Sequence, residues 1–182
     1  MRAMRSICVF CGSSPGNHPG YLQLAAEAGE LLARRNLKVI YGGGRVGLMG
    51  ALADAALRAG GQVVGVIPQL LIDKEVGHTG LTELFVVNTM AERKLMMGNL
   101  ADGFVTLPGG IGTMDELFEA WTWTQLGLQQ KPSGLLNHQG YYDPLIEFVD
   151  RAAQQGFLTQ RTRAALFVDT DMTRLLTRMQ GL

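Results

Sequence analysis

The chain has 182 residues, 47% of them hydrophobic, with 16 Lys and Arg balanced by 16 Asp and Glu for a formal net charge of zero. That length fits one domain with a full core, and neutrality without any lysine or arginine run gives no electrostatic grip on nucleic acid or an anionic membrane, so the expected partner is a small molecule. Every apolar run is broken before the ~18 residues of a membrane helix, and residues 6–10 are too short for a signal-peptide core, so a cytoplasmic protein is expected.

Residues 6–11 (Ser-Ile-Cys-Val-Phe-Cys) read as a buried strand. They end in Gly12-Ser13-Ser14-Pro15-Gly16, a turn rich in hydroxyls and free N–H groups, which makes Ser13 and Ser14 candidate ligand contacts. Cys8 and Cys11 form a C-x-x-C, but residues three apart on a strand face opposite sides and no second pair completes a zinc site. Two reduced structural thiols and no metal are expected. A helical pattern follows over residues 21–35, with Leu24, Ala25, Ala28, Leu31 and Leu32 on one face, and then a strand at 37–41.

Gly42-Gly43-Gly44-Arg45-Val46-Gly47 matches G-x-G-x-x-G between that strand and a helix at 48–58. A dinucleotide site would need a carboxylate about 20 residues on. The next strand, residues 62–67, instead ends in Pro68-Gln69 with no acid at its tip. The turn then serves close packing or a simpler nucleotide, with Gly43 a candidate contact. Residues 69–82 are an irregular segment carrying Asp73, Lys74, Glu75 and His78, longer than the usual connection of ~4–6 residues and of the kind that covers sites. After a strand at 84–87, Thr89 and Glu92 fit a capping box. Arg93 and Lys94 fall in the first turn of that helix, where they oppose its dipole unless an anion binds there; a solvated pair is the alternative.

The rest of the chain is organised around residues 104–116. Phe104-Val105-Thr106 reads as a buried strand and Leu107-Pro108-Gly109-Gly110-Ile111-Gly112 as a glycine turn. A helix starting near Gly112 or Thr113 would aim free N–H groups and its positive dipole end into that turn, an arrangement that holds phosphate. Thr113 and Glu116 alternatively form a ligand-free capping box. The helix continues through Leu117, Phe118, Ala120, Trp121, Trp123, Leu126 and Leu128. Its apolar breadth exceeds one face, which predicts a homodimer interface. A strand at 133–137, a helix at 141–155 stopped at Gly156, a strand at 166–168 and a helix from Asp171 complete the pattern. The fold class is α/β, a Rossmann-like open parallel sheet with helices on both faces in a single domain, with ligands at the strand C-terminal ends.

Residues 108–116 match the PGGxGTxxE signature, and the chain resembles the "Lonely guy" family of cytokinin riboside 5′-monophosphate phosphoribohydrolases, long mislabelled lysine decarboxylases. Phe10-Cys11-Gly12-Ser13-Ser14, Tyr41-Gly42-Gly43-Gly44, Gly47-Leu48-Met49-Gly50, Gly65-Val66-Ile67-Pro68, Met90-x-x-Arg93-Lys94 and Gly140-Tyr141-Tyr142 are similar to the family in the family's order, over roughly residues 6–157. The resemblance implies a dimeric Rossmann-like hydrolase with no cofactor, which splits a nucleoside 5′-monophosphate into free base and ribose 5-phosphate. The catalytic arginine and glutamate fall on Arg93 and Glu116. Substrate contacts fall on Glu75, Arg93, Lys94, Gly110, Ile111, Gly112, Thr113, Met114, Asp115, Glu116 and Thr122, with Gly109 in the same phosphate turn. Arg45 and Gly98 depart from the family pattern.

A carboxylate near the anomeric carbon suits this chemistry, because breaking an N-glycosidic bond passes through an oxocarbenium-like state. Glu116 takes that role, Arg93 orients substrate or Glu116, Glu75 bonds the ribose hydroxyls, and Lys94 is a secondary phosphate or pairing residue. A Walker-type NTPase is excluded, since no Gly-Lys-Ser/Thr follows any glycine loop. A pyridoxal-dependent decarboxylase would need a Schiff-base lysine among Lys38, Lys74, Lys94 and Lys131, none convincingly placed. A non-catalytic carrier of a nucleotide or of a molybdenum cofactor is the remaining rival.

Overall fold

The computed structural model describes residues 4–181. Seven strands, β1 (Ser6–Phe10), β2 (Lys38–Tyr41), β3 (Val63–Pro68), β4 (Glu83–Val87), β5 (Gly103–Thr106), β6 (Ser133–Leu136) and β7 (Leu166–Asp169), form one sheet in the order β4-β3-β2-β1-β5-β6-β7. Every pairing is parallel. The strand order reverses between β1 and β5, and in an open parallel sheet the crevice beyond the C-terminal ends at such a point is where ligands bind.

The helices are α1 (Pro19–Arg34), α2 (Gly47–Arg58), α3 (Ile72–Glu75), α4 (Met90–Leu100), α5 (Ile111–Gln125), α6 (Asp143–Gln154), α7 (Gln160–Ala164) and α8 (Met172–Gln180). They cover both faces of the sheet, so β1, β3, β5 and β6 are buried throughout and read as continuous apolar runs rather than alternating ones. Leu32 of α1, Leu52 of α2 and Leu175 of α8 pack on Ile7, Val9 and Val39. On the other face, Met97 of α4 and Ala120 of α5 pack on Cys8, Phe10 and Phe104, and Leu117 of α5 and Val149 of α6 pack on Leu135. Cys8 and Cys11 fall in opposite layers and both are free thiols, as the strand geometry predicts.

Differences from the sequence reading are local. α1 starts two residues early because the His18 imidazole caps it, accepting the Gly20 N–H at 3.0 Å. The segment expected to be irregular contains a 3₁₀ turn (Gln69–Leu71) and the single turn α3, which Val76 ends in the left-handed region at φ 48. α5 stops at Gln125, followed by Gly127 at φ 73. The short helix α7, capped by Thr159, carries no apolar period and was not expected. Gly98 makes room for the indole of Trp123, since a Cβ there would lie 2.8 Å from that ring. Among the described residues no helix is long and apolar enough to cross a membrane.

Candidate active site

At the switch point lies a cleft of ≈ 470 Å³, within the size range of small-molecule sites. One end is made by Gly12, Ser13, Ser14 and Gly16 of the loop after β1 and by residues 108–113. Arg93, Glu75 and Glu116 occupy its walls, with Leu48, Met49, Leu71 and Met90 as apolar lining and Tyr21 and Tyr141 as aromatic lining.

The glycine-turn end is open to an anion. α5 begins at Ile111 with Gly110 as its N-cap and no side-chain cap. The expected start at Gly112 or Thr113 is therefore corrected to Ile111, and the Thr113–Glu116 capping box does not form. Thr113 is already the third helical residue and lies against Gly109 instead. The N–H groups of residues 111–113 have no acceptor within the helix, because the first turn has none to offer. A Cβ on Gly110 or Gly112 would meet nothing within 4 Å, and neither has a positive φ. Neither protein packing nor backbone conformation asks for glycine at those two positions.

At the other end, Arg93 is only 4% exposed. Its Nε donates to the Val66 carbonyl at 3.0 Å, and its Nη2 donates to the Gly42 carbonyl at 2.6 Å and to Glu75 Oε2 at 2.8 Å. The carbonyl of Gly42 just past β2, the carbonyl of Val66 within β3 and one carboxylate thus hold this cation. The capping box at the start of α4 does form: Thr89 Oγ1 accepts the Glu92 N–H at 3.1 Å, and the Glu92 carboxylate accepts the Asn88 N–H at 2.8 Å.

Glu75 is delivered by α3, and main-chain bonds fix its loop to the second glycine turn. Arg45 N donates to the carbonyls of Glu75 and Val76 at 3.0 and 2.9 Å, and His78 N donates to Gly43 O at 2.9 Å. The His78 ring accepts the Gly80 N–H on Nδ1, so Nε2 carries the hydrogen it directs to Asp54 at 2.8 Å. Burial pushes the Glu116 carboxyl up to about 7, opposed by Arg93, helped by Glu75 and Asp115, and opposed again by Lys94. A carboxyl in that range can hold or release a proton at neutral pH.

The structure therefore gathers Ser13, Ser14, Glu75, Arg93, Gly109, Gly110, Ile111, Gly112, Thr113 and Glu116 on one cleft. Gly43, Lys94, Met114, Asp115 and Thr122 do not line it. Gly43, at φ 78, packs on Ile67 and Leu84. Lys94 lies one residue, hence about 100°, around α4 from Arg93, and so pairs with Asp115 at 3.0 Å and Glu119 at 3.1 Å rather than facing the cleft. Met114 packs under α5 with Leu117 and Trp121, and Thr122 is exposed on the outer face of that helix. Sequence reasoning did not single out Tyr21, Leu71, Met90 or Tyr141 as cleft residues; Met90 had a signal in Met90-x-x-Arg93-Lys94 and Tyr141 one in Gly140-Tyr141-Tyr142, whereas Tyr21 and Leu71 had none.

Residues 49–179 match the family model described as "Possible lysine decarboxylase". The chain is 50% identical over 169 residues to a cytokinin riboside 5′-monophosphate phosphoribohydrolase of Rhodococcoides fascians, covering 92% of this chain and 85% of that protein. The chain belongs to the cytokinin riboside 5′-monophosphate phosphoribohydrolase family. A second family member, LOG2 of Arabidopsis thaliana, is 44% identical over 172 residues, 94% of this chain and 81% of its own length. Among solved structures, the molybdenum cofactor carrier protein of Chlamydomonas reinhardtii superposes with a TM-score of 0.71 at 20% identity, covering 97% of this chain and 96% of that one. That likeness shows the shared fold alone.

Proposed function

We propose that the protein hydrolyses the N-glycosidic bond of adenine-type nucleoside 5′-monophosphates, including AMP and cytokinin riboside 5′-monophosphates, to free base and ribose 5-phosphate. The observation that carries this reading is one cleft holding both an uncapped helix start with two unfilled glycine positions and, on its walls, Arg93, Glu75 and Glu116. The phosphate lies on residues 109–113, where N–H donors and the helix dipole favour it. The base lies toward Leu71 and Met90, which leaves the anomeric carbon near Glu116. That carboxylate stabilises the oxocarbenium-like state and accepts a proton from the attacking water. The water oxygen bonds to the anomeric carbon as the N-glycosidic bond breaks with its electron pair going to the base nitrogen, which takes up a proton from solvent while Glu116 later releases its own. Glu75, already bound to Arg93, faces the ribose hydroxyls.

No lysine lines this cleft. Lys94 is held by two carboxylates and Lys131 donates to the Gly98 carbonyl, so the family model's decarboxylase label has no Schiff-base candidate here. We further propose a homodimer in the cytoplasm. Leu95 and Leu100 of α4 and Phe118, Leu126 and Leu128 on and after α5 are exposed on the same layer of the fold, and Thr122 on that layer would then reach a partner's site. Two free buried thiols suit a reducing compartment.

The test is incubation of purified protein with AMP, an N6-prenylated AMP and adenosine, with the released bases separated by chromatography. The nucleotides should be cleaved, with kcat/KM for adenosine lower by roughly 100-fold or more, since remote phosphate binding organises the reacting centre. Absence of base from every nucleotide would refute the enzyme reading, and equal kcat/KM for AMP and adenosine would refute the phosphate site.

A further inference from the structure

Three consecutive carbonyls of the turn between β5 and α5 each receive a donor. The Tyr142 hydroxyl donates to Leu107 O at 2.7 Å, Gly12 N to Pro108 O at 3.1 Å, and the Tyr141 hydroxyl to Gly109 O at 2.7 Å. In a trans peptide the carbonyl and the N–H that follows it point in opposite directions, and no described peptide is cis. The Leu107 carbonyl is followed by Pro108, which has no N–H, so the Tyr142 bond secures backbone without aiming a donor. The Gly109 carbonyl is followed by the Gly110 N–H, at the N-cap of α5.

The peptide joining Gly109 to Gly110 has no Cβ on either side, so little besides hydrogen bonding sets its rotation. Rotated the other way, it would present a carbonyl oxygen to an incoming phosphate, and two partial negative charges would meet. The tyrosine that prevents this is itself held firmly. Gln139 and Gly140 are both in the left-handed region, at φ 50 and φ 74. Asn137 Oδ1 accepts the Tyr142 N–H at 2.8 Å. The Tyr141 ring packs edge-on to Tyr142 at 4.8 Å and to Tyr21 at 5.8 Å between centroids.

We propose that Tyr141 is a positioning residue for the reaction: its hydroxyl fixes the peptide between Gly109 and Gly110 so that the Gly110 N–H faces the 5′-phosphate. The inference rests on the placement of the phosphate at residues 109–113. Tyr142 is the internal control, with the same kind of bond to the same turn but no N–H behind its carbonyl.

The two roles separate in the variants Tyr141→Phe and Tyr142→Phe, assayed for the AMP:adenosine ratio of kcat/KM, for inhibition by ribose 5-phosphate, and for Tm. Tyr141 is 41% exposed and Tyr142 3%. Tyr141→Phe should lower the ratio and weaken ribose 5-phosphate inhibition by about tenfold or more, the scale of a hydrogen bond to a charged group. Its Tm should stay within about 2 °C. Tyr142→Phe should lower Tm and keep the ratio. A ratio and inhibition constant unchanged in Tyr141→Phe, or changed equally in Tyr142→Phe, would overturn the proposal. Wild-type protein that fails to prefer AMP or to bind ribose 5-phosphate overturns the phosphate placement itself, a result visible before any variant is made.

Discussion

The turns that follow β2 and β5 look alike as sequence, each a glycine cluster between a buried strand and a helix, yet the molecule uses them in opposite ways. After β2, the first N–H groups of α2 are already taken: Leu48 N and Met49 N both donate to Gly12 O, at 3.0 and 3.3 Å. Gly47 and Gly50, at the start of α2, are required by neighbouring backbone. Gly47 has φ 63 and a Cβ there would lie 2.3 Å from the Ser13 carbonyl carbon, while one on Gly50 would lie 1.9 Å from Arg45 O. After β5, the start of α5 is uncapped and Gly110 and Gly112 face open space. A glycine loop is diagnostic of a ligand not by its spacing but by whether protein fills the places its missing side chains would occupy.

The largest expected effect lies in the packed turn. Gly47→Ala forces a left-handed residue to carry a Cβ into backbone that has no flexible side chain to yield. It should cost about 3 kcal/mol and lower Tm by roughly 6–12 °C in a chain of this size. Differential scanning calorimetry reads this directly. A Tm within 2 °C of wild type would erase the contrast between the two turns.

Next in size is Glu116→Gln, beside the open turn. If the carboxylate stabilises developing positive charge, kcat for AMP should fall by roughly 100-fold or more. In the wild type, kcat/KM should rise about tenfold per unit at low pH and level off above about 7 as the group ionises. Stability runs the other way. The folded pKa is raised from 4.5 to about 7, so folded protein holds a proton that unfolded protein has released. The favourable contribution is complete below 4.5 and is lost as pH rises through about 7. Avoiding a buried charge, the Gln variant should therefore be more stable than wild type at pH 8, by about 1–3 kcal/mol. A flat rate profile between pH 5.5 and 8, or a variant that keeps its kcat, would remove Glu116 from the chemistry.

Much of this was legible in the sequence, and where it was not, the reasons are geometric. The buried strands and their glycine turns could be read from apolar runs and punctuation, and with them the parallel sheet and the position of the cleft. The partners that hold Arg93 could not, because its acceptors, the carbonyls of Gly42 and Val66 and the carboxylate of Glu75, are 51, 27 and 18 residues away in the chain. Nor could the start of α5, since Gly110, Ile111 and Gly112 are all compatible with either boundary. The broad apolar character of residues 117–128 divides in the structure: Leu117 and Trp121 enter the core, and Phe118, Leu126 and Leu128 stay exposed. Tyr141 acts on Gly109 from 32 residues away, a link that no local pattern carries.

The smallest expected effect is the one that sets the two turns most directly against each other. Gly112 is the second residue of α5, has no positive φ, and a Cβ there would touch no protein atom. Replacing glycine by alanine inside a helix normally gains about 0.5–1 kcal/mol, so Gly112→Ala should leave Tm unchanged or raise it by a few degrees, roughly 2–4 °C per kcal/mol. The added methyl group would nevertheless occupy space that the phosphate needs against the free N–H groups of the first turn. KM for AMP should rise about tenfold, equivalent to ~1.4 kcal/mol. The same substitution would then destabilise the turn after β2 and disable the turn after β5 while stabilising it. If Gly112→Ala raised Tm and left KM untouched, the open space at the start of α5 would have no ligand to account for it, and the phosphate would have to be sought elsewhere on the cleft.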